Sequence, residues 1–180
     1  MENPEQPQGM EQAAMEQQLP QIDERKLERY LQEVRDNQNL MFGILGGIGG
    51  GLIGAVIWAI VTAWTNYQIG WMAIGVGFLV GYAVRMLGRG IDMVFGIAGG
   101  VIALVSCAAG NLLSVVLAVS RQETVPFFDI IARLNPRIIA NVMKDTFHPM
   151  DALFYGLAIY VGYKYAFKPI TDEELAKLTV

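Results

Sequence analysis

The stretch FGILGGIGGGLIGAVIWAIVTAW, residues 42–64, decides the fold class, because it is too apolar and too rich in glycine for an ordinary soluble helix. Wound as an α-helix, it sets Gly43, Gly47, Gly51, Ala55, Ala59 and Ala63 in one row, each a turn above the last. Gly46, Gly50 and Gly54 form a second row beside it. Glycine inside a helix costs roughly 1 kcal/mol relative to alanine in water, so a dense run of it needs a packing reason. The expectation is a membrane span whose smooth face another helix approaches closely.

The charge distribution extends that reading to the rest of the chain. Of 180 residues, 53% are hydrophobic and only 17% charged, and the mean hydropathy is +0.37, apolar for a soluble domain of this size. No Asp, Glu, Lys or Arg falls between Asp36 and Arg85, nor between Asp92 and Arg121. About 20 apolar residues at about 1.5 Å rise cross a hydrocarbon core of about 30 Å, so each gap holds spanning helices. The net charge of −4, with much of the acid in the N-terminal tail, does not point to nucleic acid. A single cysteine, Cys107, excludes an intrachain disulfide and a cysteine-based zinc cluster. The first 40 residues are polar and acid-rich, unlike a cleavable signal peptide, so the first span is expected to serve as an uncleaved insertion signal.

Taken together, the pattern predicts an all-α membrane protein, a four-transmembrane-helix bundle with short amphipathic helices before span 1 and between spans 3 and 4. Residues 1–21, rich in Gln, Glu, Pro and Met, are expected to be a disordered tail. Within residues 22–40, Leu27, Tyr30, Leu31 and Val34 recur at helical spacing opposite Arg25, Arg29 and Glu33, which makes a juxtamembrane amphipathic helix. The membrane domain covers residues 41–167, with spans at about 41–64, 69–87, 93–119 and 150–167. Thr65, Asn66, Tyr67 and Gln68 form a tight polar break between the first two spans, flanked by Trp58, Trp64 and Trp71 as interfacial aromatics.

Span 2 carries Ala73, Gly77 and Gly81 in one row, expected to match the smooth row of span 1. Span 3 carries Gly99, Ala103, Cys107 and Asn111 in one row, with Gly96 and Gly100 beside it. The run FGILGG of residues 42–47 reappears as FGIAGG at 95–100, too short to prove duplication but consistent with one shared packing problem. Pro126 and Pro136 each suit a first helical turn, and the apolar stripes behind them predict two amphipathic helices at about 126–147, on the membrane surface or capping the bundle. Span 4 is short, about 27 Å, and Lys164 and Lys168 can snorkel to lengthen it. Residues 168–180 form a C-terminal tail whose Thr171, Asp172, Glu173 and Glu174 make a capping-box start for a short helix.

Nine of the 13 basic residues lie on the N-terminal side of this topology and four on the other, which favours both termini in the cytoplasm. Arg85, Arg89 and Asp92 gather at one turn, where an anionic lipid headgroup or a partner carboxylate could bind; an anchor with an intrahairpin ion pair explains them as well. His148 and Asp151 are three apart and could exchange a proton, but Asp151 also suits an N-terminal cap for span 4. Asn111 and Ser114 are expected to hydrogen-bond across helices. No phosphate-loop pattern, metal-ligating set or catalytic constellation is recognisable, and no cofactor is implied.

The glycine-rich first hairpin, YQIGWMAIGVGFLVGYAVRMLGRGID at residues 67–92 and HPMDALFYGLAIYVGYKYAF at 148–167 together resemble a group of uncharacterised bacterial inner-membrane proteins. The resemblance covers about residues 43–167. It implies a bacterial multi-pass protein of the inner membrane and carries over no catalytic residues. The functional expectation is a non-enzymatic interaction or scaffold subunit in the lipid bilayer, with a protein partner or self-association through the smooth helix faces. The alternative is a small channel or transporter formed by a homo-oligomer and lined by the glycine rows and Asn111.

Overall fold

The computed structural model describes residues 22–65 and 70–179, so the expected disordered tail and the break at Asn66, Tyr67 and Gln68 lie outside the described residues. Eight helices follow in order among the described residues: α1 Glu24–Asn37, α2 Leu40–Thr65, α3 Trp71–Gly88, α4 Met93–Gln122, α5 Phe127–Arg133, α6 Pro136–Thr146, α7 Pro149–Tyr165 and α8 Asp172–Leu178. Three of them, α2, α3 and α4, are long and apolar enough to cross a membrane. The chain divides into two compact units, residues 37–168 and a smaller one built from the two ends of the chain.

In the smaller unit, α1 begins at Asp23, whose Oδ1 accepts the Arg25 N–H at 3.0 Å. Helix α8 begins with the expected capping box, Thr171 Oγ1 accepting from Glu174 N and Glu174 Oε2 from Thr171 N at 3.0 Å. The two ends of the chain pair directly. Ile22 and Thr179 form an antiparallel bridge, Asp23 N donates to Leu178 O at 2.8 Å, and Lys26 Nζ donates to Thr179 O at 2.9 Å.

The larger unit is a bundle in which α3 and α4 form the central pair, α2 lies along one side of both and α7 along the other. Its core is built of Trp58, Val76, Val80, Val84, Phe95, Ala103, Cys107, Tyr155 and Ala158. Side-by-side residues give the directions. Gly43 meets Gly88 and Gly54 meets Val76, so α2 and α3 are antiparallel; Gly47 meets Ile102 and Gly51 meets Ser106, so α2 and α4 are parallel. Gly77 meets Ala158 and Gly81 meets Gly162, so α7 runs parallel to α3.

Both glycine rows of α2 are used inside this bundle. A methyl group added at Gly47 would lie 2.7 Å from Val84 Cγ2 and 3.0 Å from Ile102 Cδ1. One at Gly46 would lie 2.8 Å from the Ala83 carbonyl, and one at Gly50 3.0 Å from Ala83 Cβ. The row Gly77 and Gly81 departs from expectation: it faces α7 rather than α2. Branched side chains of α3, Val76, Val80 and Val84, fill the α2 groove instead, because two smooth faces in contact would leave little apolar area to bury between them. The small row of α4 likewise meets α7, Gly99 at Gly162 and Ala166, and Gly96 at Tyr163 and Phe167.

The repeated hexapeptide therefore serves one packing role twice, with Gly46 against α3 and Gly99 against α7. Its phenylalanines diverge, Phe42 being exposed and Phe95 buried. The tryptophans also diverge from the expected interfacial belt. Trp64 and Trp71 are 81% and 72% exposed, but Trp58 is 4% exposed and lies against Gly110 of α4.

Candidate functional site

The turn between α3 and α4 is the polar cluster that the sequence singles out. Helix α3 ends when Arg89 turns left-handed at φ 50° and its N–H donates to Arg85 O at 2.9 Å, a cap conformation usually taken by glycine. Phe95 then folds under the turn and is nearly fully buried among Gly43, Gly88 and Gly90, where side chains on those three glycines would collide with its ring. Asn39 begins α2 here. Its Oδ1 accepts Phe42 N at 3.1 Å and its own N–H donates to Gly88 O at 2.9 Å, so an N-terminus and a C-terminus satisfy each other's orphan groups.

Asp92 takes part in this knot through its carboxylate, which accepts the Gln38 amide, while Gln38 Oε1 accepts Ile91 N at 3.4 Å. Lys168 N closes the far side by donating to Gly90 O at 2.9 Å. Gln38 was not visible as a site residue in the sequence. Asn39 was the available signal, as a capping side chain just before the apolar run.

Arg85 stands apart from that knot. It is half-buried, and its guanidinium carbon sits 6.0 Å from the Tyr82 ring centroid. Tyr82 stacks on Phe78 at 5.9 Å between centroids, and Phe78 meets the edge of Tyr165 of α7 at 4.9 Å. All three rings are exposed, so a ladder of aromatics runs down the outer face of α3 beneath Arg85. Arg89 itself is exposed at the turn.

At the opposite end, Asn111 of α4 donates to Thr146 Oγ1 of α6 at 3.3 Å, and Thr146 passes the chain on to Val142 O at 2.8 Å. Tyr155 of α7 also hydrogen-bonds Asn111, so this side chain ties three helices together. Ser114 does not bond across helices as expected. Its hydroxyl donates to Gly110 O of its own helix at 2.7 Å, the local option that short hydroxyl side chains take when no partner faces them. Arg121 Nη1 donates to Ala63 O at 2.6 Å and so caps the C-terminus of α2. Trp58 Nε1 and Thr62 Oγ1 are buried near this end without a hydrogen-bond partner among the described residues.

His148 and Asp151 form a helix start. His148 N donates to Asp151 Oδ2 at 2.8 Å, and the exposed imidazole has Nδ1 3.1 Å from Thr146 O. The carboxylate thus already has a structural use at the head of α7. Cys107 is buried with its thiol directed at Ala73 O, 3.8 Å away. Among the described residues no group of three His, Cys, Asp or Glu side chains is placed to hold a metal ion.

No family model, curated protein or solved structure matches this chain. The ten glycines named from the sequence, Gly43, Gly46, Gly47, Gly50, Gly51, Gly54, Gly77, Gly81, Gly99 and Gly100, all stand at helix crossings within the larger unit. The three polar residues named beside them divide in two: Asp92 belongs to the structural knot, whereas Arg85 heads the exposed aromatic ladder.

Proposed function

We propose that this chain is a four-span integral membrane protein that acts as a non-catalytic interaction subunit, with α7 as the fourth span and α5 and α6 on the membrane surface. Two observations support the fourth crossing. Helix α7 runs beside α3 over its whole length, from Phe154 against Gly70 to the Lys168 N–H on Gly90, so it traverses the layer that α3 traverses. Its 17 residues nearly equal the 18 of α3. The pairing of Ile22 with Thr179 supports the same count, since two residues that pair on one side of a membrane are joined by an even number of crossings. The excess of basic residues on that side favours the cytoplasm, in a bacterial inner membrane as the sequence resemblance implies.

The observation that carries the interaction reading is the filled interior. Val84, Ile102, Ser106 and Ala158 occupy the glycine rows that a channel would need as its lining. A pathway through this bundle would have to reopen those seams, whereas its outer faces remain free for lipid and partner helices. Self-association would then use the outer faces and not the smooth rows.

Two measurements test the proposal. Single cysteines at Glu28, Phe128 and Glu173, in a Cys107→Ala background, should react with an impermeant maleimide from one side at 28 and 173 and from the other at 128. Labelling of 128 and 173 from the same side would remove the fourth span. Purified protein in sealed vesicles should give ion and solute flux equal to protein-free vesicles; a conductance that scales with protein content would overturn the interaction reading in favour of the channel.

A further inference from the structure

We infer that Arg85, with Tyr82 and Phe78 beneath it, binds an anionic glycerophospholipid from the leaflet at the Gly88 end of the bundle. The inference rests on the reading of α3 and α7 as spans. Arg85 lies one turn before the end of α3, where a headgroup phosphate sits, and its guanidinium is held over the Tyr82 ring at 6.0 Å. Among the described residues the Arg85 side chain meets no carboxylate: Asp92, the acid of the adjoining turn, accepts the Gln38 amide. A half-buried cation at a membrane boundary needs an anion, and the planar fork of a guanidinium matches two phosphate oxygens.

The surface below is shaped for an acyl chain. Phe78 lies two turns down from Arg85, about 10 Å toward the bilayer centre, and stacks with Tyr82 while Tyr165 closes its flank. Phe78 also borders a groove of about 350 Å³ between α2 and α3, whose walls include Gly54, Ile57 and Gly75. A side chain at Gly75 would meet open space, so none of the described residues closes the groove there. Charge above, an aromatic ladder below and an apolar groove at its foot match the three parts of one phospholipid in order. A second protein's helix bearing a carboxylate would use the charge but has no need of an apolar groove that begins two turns below it and continues past Gly75 to Met72 and Trp71.

The test is thermal unfolding of the full chain in neutral detergent with added phosphatidylglycerol, phosphatidylcholine or inorganic phosphate. Phosphatidylglycerol should raise Tm by about 5 °C at saturation, with neither of the others matching it. Arg85→Gln should weaken that lipid about tenfold, and Gly75→Leu, which fills the groove, should weaken it without lowering the lipid-free Tm. Arg137→Gln, an exposed arginine of α6, should retain the full shift. Equal stabilisation by phosphatidylcholine, or by inorganic phosphate, overturns the proposal, as does an undiminished shift in Gly75→Leu. Loss of the shift in Arg137→Gln would mean diffuse charge attraction and overturns it too. Should Arg85→Gln not fold, the Gly75→Leu arm decides alone. The maleimide pattern at residues 28, 128 and 173 is read without added lipid, so a failure of the span reading and a failure of the lipid site are distinguishable.

Discussion

Against α3 and α4, helix α2 offers glycine and receives side chains; against α7, helices α3 and α4 offer glycine and receive backbone. At the first seam the atoms nearest to an added methyl are largely side-chain atoms, Val84 Cγ2 at Gly47, Ser106 Oγ at Gly51 and Val76 Cγ2 at Gly54. At three positions of the second they are carbonyl oxygens, Ala158 O at 2.5 Å from Gly77 and Gly162 O at 2.7 Å from Gly81 and 2.5 Å from Gly99, whereas Gly96 and Gly100 meet the side chains of Phe167 and Ile159. One carbonyl, that of Gly162, is therefore wedged between α3 and α4. Approaches this close are where weak Cα–H···O contacts form. The difference teaches that a row of small residues specifies closeness but not what fills it. A side-chain tip can rotate away from an intruding methyl, but a helix carbonyl moves only if the helix moves.

The largest test of that difference is Gly99→Leu. Its side chain would enter the space held by Gly162 and Ala166, and α7 would have to leave the bundle. Overpacking of a close-packed seam costs about 3 kcal/mol or more in the severe cases. Denaturant titration of the protein in mixed micelles should show a loss of that size or no folded protein at all. If Gly99→Ala is tolerated as well as Gly51→Ala, whose Cβ would meet chiefly the Ser106 hydroxyl, the two seams do not differ as argued.

A matched pair reduces the same comparison to one methyl. Gly77→Ala sets a Cβ against the Ala158 carbonyl, and about 1–3 kcal/mol of stability should be lost. Gly54→Ala sets its Cβ 3.2 and 3.3 Å from the two Val76 methyls, a crowding that a shift of a few tenths of an ångström relieves, so its change should stay below about 1 kcal/mol. The difference between the two, measured in one micelle system, is insensitive to how helix propensity in water transfers to a bilayer, because that term is common to both.

The sequence made the three helices long and apolar enough to cross a membrane legible, because charge gaps and length are properties of one helix at a time. Both capping motifs were legible for the same reason, since Thr171 to Glu174 and His148 to Asp151 are local. The partners of the rows were not. Gly77 and Gly81 look like a match for Gly47 and Gly51 in composition, and nothing local tells α2 from α7 as the neighbour. The same limit applies to Trp58, whose burial depends on Gly110 lying opposite it in α4, and to Ser114, whose partner choice depends on what faces it. In the candidate site, the turn of Arg85, Arg89 and Asp92 was legible as a polar cluster, but its division into a knot and a cation that meets no carboxylate among the described residues required Gln38, far away in sequence.

A smaller effect concerns the ends of the first seam. Arg121 reaches from α4 to the last turn of α2, and this one bond at 2.6 Å satisfies a carbonyl that α2 leaves unpaired. Arg121→Gln, which exchanges a charged donor for a neutral amide, should lower stability by about 1 kcal/mol, less than the roughly 1.5–3 kcal/mol of a hydrogen bond from a charged group. A larger loss, close to that of Gly77→Ala, would mean that α2 is held more by its ends than by its glycine groove, and the seam comparison would need that correction.

The smallest effect has the opposite sign. Gly49, Gly75 and Gly156 have open space where a methyl would stand, so they take no part in either seam. If the other glycines are retained for closeness, these three carry only the helix-weakening cost of glycine, and Gly156→Ala should gain about 0.5–1 kcal/mol. The gain should be seen as a higher midpoint in the same denaturant titration, with no change in the maleimide pattern. A loss at Gly156 instead would mean that something beyond the described residues rests on that face of α7, since among them there is nothing for the methyl to strike.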